Sequence, residues 1–182
     1  MRTPLLSLLL TSTLLLHGCA TTPAPPTALS RLLDSVSQRL DIAEAVALHK
    51  WDSGQPVAAP EREQQVIANA QTQAMRFGVD GQRATHFFAD QIEANKLLQY
   101  SALSQWHATG SAPSTQRLDL NTQLRPQLDR LQRTLLSQLA EFDRNRPAHC
   151  QATLARAIEQ LDKSPQHSLA LIRATTYLCS PL

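Results

Sequence analysis

Glycine is scarce in this chain, with five residues in 182, and aromatic side chains make up only 4% of it. So few glycines leave no Gly-rich segment able to cradle a phosphate, which excludes the usual nucleotide-binding loops. No stretch alternates apolar and polar residues at the period of a strand, so no sheet is expected. A marked excess of either charge is missing as well. The 17 Lys and Arg against 15 Asp and Glu are well mixed and give a formal net charge of +2. A nucleic-acid footprint, which needs clustered cations, is excluded. Past Leu16 no further long apolar run occurs, and the run before it falls short of the ~20 residues of a membrane-spanning helix. None of His49, His86, His107, His149 and His167 pairs at ligand spacing with a Cys, His or carboxylate cluster, so no metal is expected. No Ser-His-Asp logic can be assembled from sequence order.

What is abundant is Ala, Leu and Gln, a composition that favours helices. The patterning predicts an all-α protein. A first helix runs from an N-cap at Thr27 to about Asp52, where Ser53-Gly54-Gln55-Pro56 ends it. A second begins near Pro60 and stops at Gly78, and a third runs from Asp80 or Gly81 to about His107. Residues 109–115 are a connection. A fourth helix carries Leu128, Leu131, Leu135, Leu139 and Phe142; Asn121 or Thr122 is a possible cap for it, but Pro126 argues for a start nearer Arg125. Two shorter helices follow, at about 148–162 and 166–178.

The ends speak to compartment. Arg2, the apolar run Leu5 to Leu16 and the small residues after it read as an export signal over residues 1–20. Leu16-His17-Gly18-Cys19 resembles a bacterial lipobox that would acylate Cys19; ordinary cleavage after Ala20 is the competing reading. Residues 21–27 form a tether, and 28–182 a single domain with a core at 28–107 and a helical extension at 116–182. Three cysteines leave one over. With Cys19 lipidated or removed, Cys150 and Cys179 are expected to pair in an oxidising compartment.

The polar residues that interrupt apolar stripes carry the functional signal. Arg39 and Lys50 lie eleven residues apart on the flank of the stripe Leu29, Leu32, Leu33, Val36, Leu40, Ala43, Val46 and Ala47. Eleven steps at about 100° return to within roughly 20° of the start, about 16 Å along a straight helix. Cations held against a core need anionic partners, although long side chains can also lay their stems on apolar surface and keep their heads in water. In the second helix, Glu63 projects into the face of Val66, Ile67 and Ala70, with Arg62 beside it. In the third, Asn95 and Gln99 stand one turn apart in apolar company, and buried amides need partners. Together these describe a polar pocket inside a bundle with more positive than negative charge, so its ligand should be an anion.

In their order and spacing, Arg39, Lys50, Arg62-Glu63, Asn95 and Gln99 resemble the all-helical AroQ-type chorismate mutases. The match covers about residues 28–107 and includes QRLDIAEAVALHKW and DQIEANKLLQYSALSQW. The export signal, extra helices and late cysteine pair resemble the exported gamma subclass. The resemblance implies a six-helix bundle-like fold and conversion of chorismate to prephenate. That rearrangement within one molecule needs no nucleophile, proton relay, metal or cofactor, only a compact conformer and donors where charge develops on the ether oxygen.

Carried over by resemblance, Arg39 binds a substrate carboxylate, and Lys50 contacts a carboxylate and the ether oxygen. Gln99 donates a second hydrogen bond to that oxygen. Glu63 accepts from the ring hydroxyl with Arg62 alongside, and Asn95 hydrogen-bonds a carboxylate. Intracellular relatives take a further arginine from the partner chain, and the exported subclass supplies it from its own later helix, for which Arg125 is the candidate here. Ala59 departs from the Asp frequent in intracellular relatives, and Val66 from the Gln of some exported ones. The family also implies a homodimer, and the exported subclass a periplasmic location. A catalytically silent helical lipoprotein that binds an anionic metabolite or a protein partner is the alternative, and a structural bundle with snorkelling charges a third.

Overall fold

The computed structural model describes residues 27–161 and 163–181. The export signal, Cys19 and the tether up to residue 26 lie outside the described residues. The described chain is all helix and connection, with no strand: α1 Ala28–Asp41, α2 Ala43–Ser53, α3 Pro60–Ala74, α4 Gly81–Thr109, α5 Arg125–Arg144, α6 Cys150–Glu159 and α7 Pro165–Ala174.

Local chemistry sets most of the boundaries. The Thr27 hydroxyl accepts from the Ser30 backbone N–H at 3.1 Å and opens α1. The Asp80 carboxylate accepts from Arg83 N–H at 2.9 Å and opens α4. Gly54 and Gly78 take positive φ, 68° and 74°, where a side chain would be strained, and they stop the chain after α2 and after the short turn that follows α3. The cap before α5 falls on neither Asn121 nor Thr122. Asp119 accepts from both of their N–H groups, at 3.0 and 2.7 Å, and opens a widened turn over 120–124 that leads into α5 at Arg125.

The expected first helix is divided. It is interrupted at Ile42, so α1 and α2 are two helices in series and the bundle has six rods when they are taken as one. Neither Pro nor Gly stands at the interruption, and the residues on its two sides pack into different clusters. Leu29, Leu32, Leu33, Val36 and Leu40 of α1 join the main core with Phe88 of α4 and Leu135, Leu136 and Leu139 of α5. Ile42 and Val46 instead join Leu124, Leu120 and Leu128 in a second cluster. Each fully buried Leu or Phe contributes about 1.5–3 kcal/mol, so two satisfied clusters outweigh a ladder hydrogen bond lost at the interruption.

The last two helices fold back onto α1 and α4. Cys150, the first residue of α6, is bonded to Cys179 beyond α7, with a Cα–Cα distance of 5.7 Å. Beside this bridge the Asp143 carboxylate holds both Arg83, at 2.9 Å, and Arg146, at 3.1 Å. The same two arginines donate to the carbonyls of Tyr177, Leu178 and Ser180. The chain after α7 is therefore fixed to α6 by the disulfide, and to Arg83 of α4 and Arg146 just beyond α5 by charge-assisted hydrogen bonds.

Candidate active site

Lys50 occupies the last turn of α2 and is only 9% exposed. Its Nζ donates to the Val57 carbonyl at 2.5 Å, so the cation is held by the loop that leads into α3. Glu63 lies in the first turns of α3. One carboxylate oxygen accepts from the Ala59 backbone N–H at 3.0 Å, and the other pairs with Lys96 of α4 at 3.1 Å. Burial pulls the Lys50 ammonium below its ordinary value; the Glu63 charge opposes this, while Lys96 and Arg125 add to it. For Glu63, burial pushes the carboxyl up, but the Ala59 N–H, Lys96 and Lys50 together outweigh it and leave the group below the usual carboxylate range.

Arg39, in the last turn of α1, is 7% exposed, so neither it nor Lys50 snorkels. Burial, opposed by Asp129 and assisted by Arg62, pushes its guanidinium down to about 10, and its Nε has no hydrogen-bond partner. The backbone carbonyl of Arg39 sets the amides of α4 in order. A carbonyl only accepts, so Asn95 presents Nδ2 to it, at 3.1 Å. Asn95 Oδ1 therefore faces Gln99 and receives Gln99 Nε2 at 2.7 Å. One N–H of Gln99 remains for a ligand, and Gln99 Oε1 is buried without a partner.

Arg62 donates to Gln65 at 2.8 Å and to Asp129 of α5 at 3.2 Å. Arg125, at the start of α5, is held through Nη1 by Asn121. These groups line one cavity of about 440 Å³, a volume suited to a small molecule. All seven residues expected at the site, Arg39, Lys50, Arg62, Glu63, Asn95, Gln99 and Arg125, line it. Five cations (Arg39, Lys50, Arg62, Lys96, Arg125) face three carboxylates (Glu61, Glu63, Asp129), an excess of two positive charges. Buried cations with fixed donors favour a dianion and any negative charge that develops on it. Among the described residues no group of three or more His, Cys, Asp or Glu is arranged to hold a metal ion.

Lys96, Asp129 and Gln132 also line the cavity and were missed in the sequence. Gln132 is 7% exposed and interrupts the α5 stripe between Leu128 and Leu135, the same signal that exposes Arg39. Lys96 follows Asn95 and precedes Gln99 by three, so it shares their face. Asp129 carries no such mark, because only the packing of α5 against α3 brings it to Arg62. Sequence order also concealed a Ser-His-Asp arrangement. His167 Nε2 lies 3.1 Å from Ser37 Oγ, and His167 Nδ1 lies 3.6 Å from Asp41. Ser37 is 5% exposed and sits inside α1, where backbone N–H groups are spent on the helix ladder and offer no oxyanion site. The arrangement ties α7 to α1.

An all-helical bundle enclosing a pocket with an excess of positive charge defines the class of protein. The pattern of chorismate mutase type II matches residues 30–100. The chain is 30% identical over 168 residues to a secreted chorismate mutase of Mycolicibacterium smegmatis, covering 90% of this chain and 91% of that one. It also superimposes on the crystal structure of a chorismate mutase from Burkholderia phymatum with a TM-score of 0.81 and 42% identity, covering 85% of this chain and 97% of that one. A secreted chorismate mutase from Yersinia pestis shares the fold, with a TM-score of 0.71 at 22% identity over 84% of this chain and 96% of that one. The chain belongs to the type II chorismate mutase family.

Proposed function

We propose that this protein converts chorismate to prephenate in the cavity between α1–α2, α3, α4 and α5. The convergence of Arg39, Lys50, Arg62, Glu63, Asn95, Gln99 and Arg125 on that one cavity carries the reading, together with family membership. Arg39 and Arg125 bind the substrate carboxylates with Arg62 beside them. Lys50 and Gln99 meet the ether oxygen as its bond breaks, and Glu63 accepts from the ring hydroxyl. Asn95 orients Gln99 and keeps an N–H for a carboxylate. Arg125 of α5 stands in for the arginine that intracellular relatives take from a partner chain.

The experiment is direct. Chorismate is added to purified protein and the loss of its absorbance is followed with prephenate formation; an active protein supports the reading, and an inert, folded one favours the silent binding protein.

The relatives named as secreted, with the signal-like residues 1–20, support export. Beyond export, we place the mature domain, residues 28–182, in the periplasm, anchored through an acylated Cys19. Intact-mass analysis of the mature protein tests the anchor, and an unmodified chain that starts at Thr21 rejects it. The homodimer implied by the family is tested by light scattering.

A further inference from the structure

The two opposite charges that matter most in the cavity are kept apart. Lys50 and Glu63 line the same space, and each feels the other's charge, yet they form no ion pair. A cation and a carboxylate in a partly dry pocket attract strongly, so something must hold each one off. Lys50 is retained by the Val57 carbonyl. Glu63 is retained by the Ala59 N–H on one oxygen and by Lys96 on the other. Lys96 has no counterpart among the roles that the family resemblance carries over.

We propose that Lys96 is a positioning residue for Glu63: its ammonium, bridged between Glu63 and Glu93, keeps the Glu63 carboxylate aimed into the cavity and away from Lys50. The geometry supports it. Lys96 Nζ lies 3.1 Å from Glu63 and 2.7 Å from Glu93, and the Lys96 side chain is only 18% exposed, while Glu93 is 46% exposed. The ammonium is thus drawn to the cavity wall by one carboxylate and anchored from its own helix by the other. Without Lys96, Glu63 loses its partner on α4, and the other cation whose charge acts on it is Lys50. The carboxylate would then cancel the charge that the ether oxygen needs, and would leave the ring hydroxyl without its acceptor. The proposal rests on the function proposed above.

Other charges bear on Glu63. Arg39 of α1, Lys50 of α2, and Arg125 and Asp129 of α5 share its cavity, and Glu61 and Arg62 flank it on α3. Lys96 is the cation directly bonded to it, so removing that cation raises the pH at which the carboxylate protonates.

The test is a double-mutant cycle with Lys96→Met and Glu63→Gln, assayed with chorismate from neutral pH downward until the wild-type rate falls. Lys96→Met should lower kcat/KM about ten- to a hundredfold, as expected for a lost charge-assisted hydrogen bond. In the Glu63→Gln background the same change should cost less than about twofold, because two residues acting as one unit are not additive. The acid limb of the Lys96→Met profile should move to higher pH, and Lys96→Arg should restore both rate and profile. Equal losses in both backgrounds, or an unmoved acid limb, overturns the proposal and leaves the mutase reading intact. Lys96→Gln repeats the cycle should the Met variant fail to fold. A wild-type protein inert toward chorismate defeats the underlying reading and this inference with it.

Discussion

Gln99 Nε2 donates to Asn95 Oδ1 at 2.7 Å, and this contact fixes which face of the Gln99 amide is left for a ligand. The order is imposed from the Arg39 carbonyl, which only accepts, through Asn95, so a donor is delivered by backbone chemistry one helix away. Gln99 is neutral and donates at any ordinary pH. Against burial, the Ala59 N–H, Lys96 and Lys50 hold the Glu63 carboxyl below the usual carboxylate range, so it stays ionised at mildly acidic pH. Turnover should therefore be nearly flat from mildly acidic to neutral pH. Gln99→Glu donates only when protonated and should work at the acid end alone. A pH profile of kcat/KM for both proteins checks this, and a flat Gln99→Glu profile would contradict it.

Lys50→Ala should lose at least the ~10² to 10³ in kcat expected for one oxyanion donor, and more because a buried charge is removed with it. Arg39→Ala removes an anchor already present with bound substrate, so KM should rise as kcat falls. Steady-state kinetics on variants with native circular dichroism decide both. A folded Lys50→Ala protein with wild-type turnover would refute the assignment of the pocket.

The Cys150–Cys179 bridge closes a separation of 29 residues, and its loss should cost about 3–4 kcal/mol on the chain-entropy model. For a domain of this size that lowers Tm by roughly 10 °C. Both cysteines pack against the main core and neither lines the cavity, so Cys150→Ser/Cys179→Ser should keep wild-type kcat per folded molecule. Thermal denaturation and active-site titration, run side by side, separate the two effects.

His167 adds a pH dependence to stability. Burial pulls its imidazole below the ordinary 6.5, with Asp41 opposing and Lys163 assisting. The folded protein therefore holds His167 neutral more firmly than the unfolded chain does. The resulting stability is present above about pH 6.5 and is lost as pH falls through the lowered folded value. His167→Gln should flatten the decline in Tm between pH 7 and 5, which differential scanning calorimetry would detect. An equally steep decline in the variant would argue against this role.

The caps at Thr27 and Asp80, the stop at Gly78 and the buried ions of α1 and α2 were legible in the sequence, because each is a local departure from a 3.6-residue pattern. The interruption at Ile42 was not. It separates residues that join two apolar clusters, one of which includes residues some eighty positions later. Asp129 was hidden for the same reason, since its meaning comes from Arg62, 67 residues earlier. Lys96 and Gln132 were readable by the rule that found Arg39, and each is a polar residue on the buried side of its helix. The link between Ser37 and His167, 130 residues apart, had no local signature.

Helix α4 is 29 residues long, about 43 Å, and it packs against α2, α3 and α7. Asn95, Lys96 and Gln99 occupy a little over one of its turns, with about four turns of helix before them and nearly three after. Fraying at either end dies out well before it reaches them. The three groups behave as marks engraved on one rigid bar, so their mutual spacing is insulated from the loops and from the chain that follows. Sequence drift at the ends of the bar changes how firmly the protein stands, and leaves the tolerances of the reaction chamber where they were.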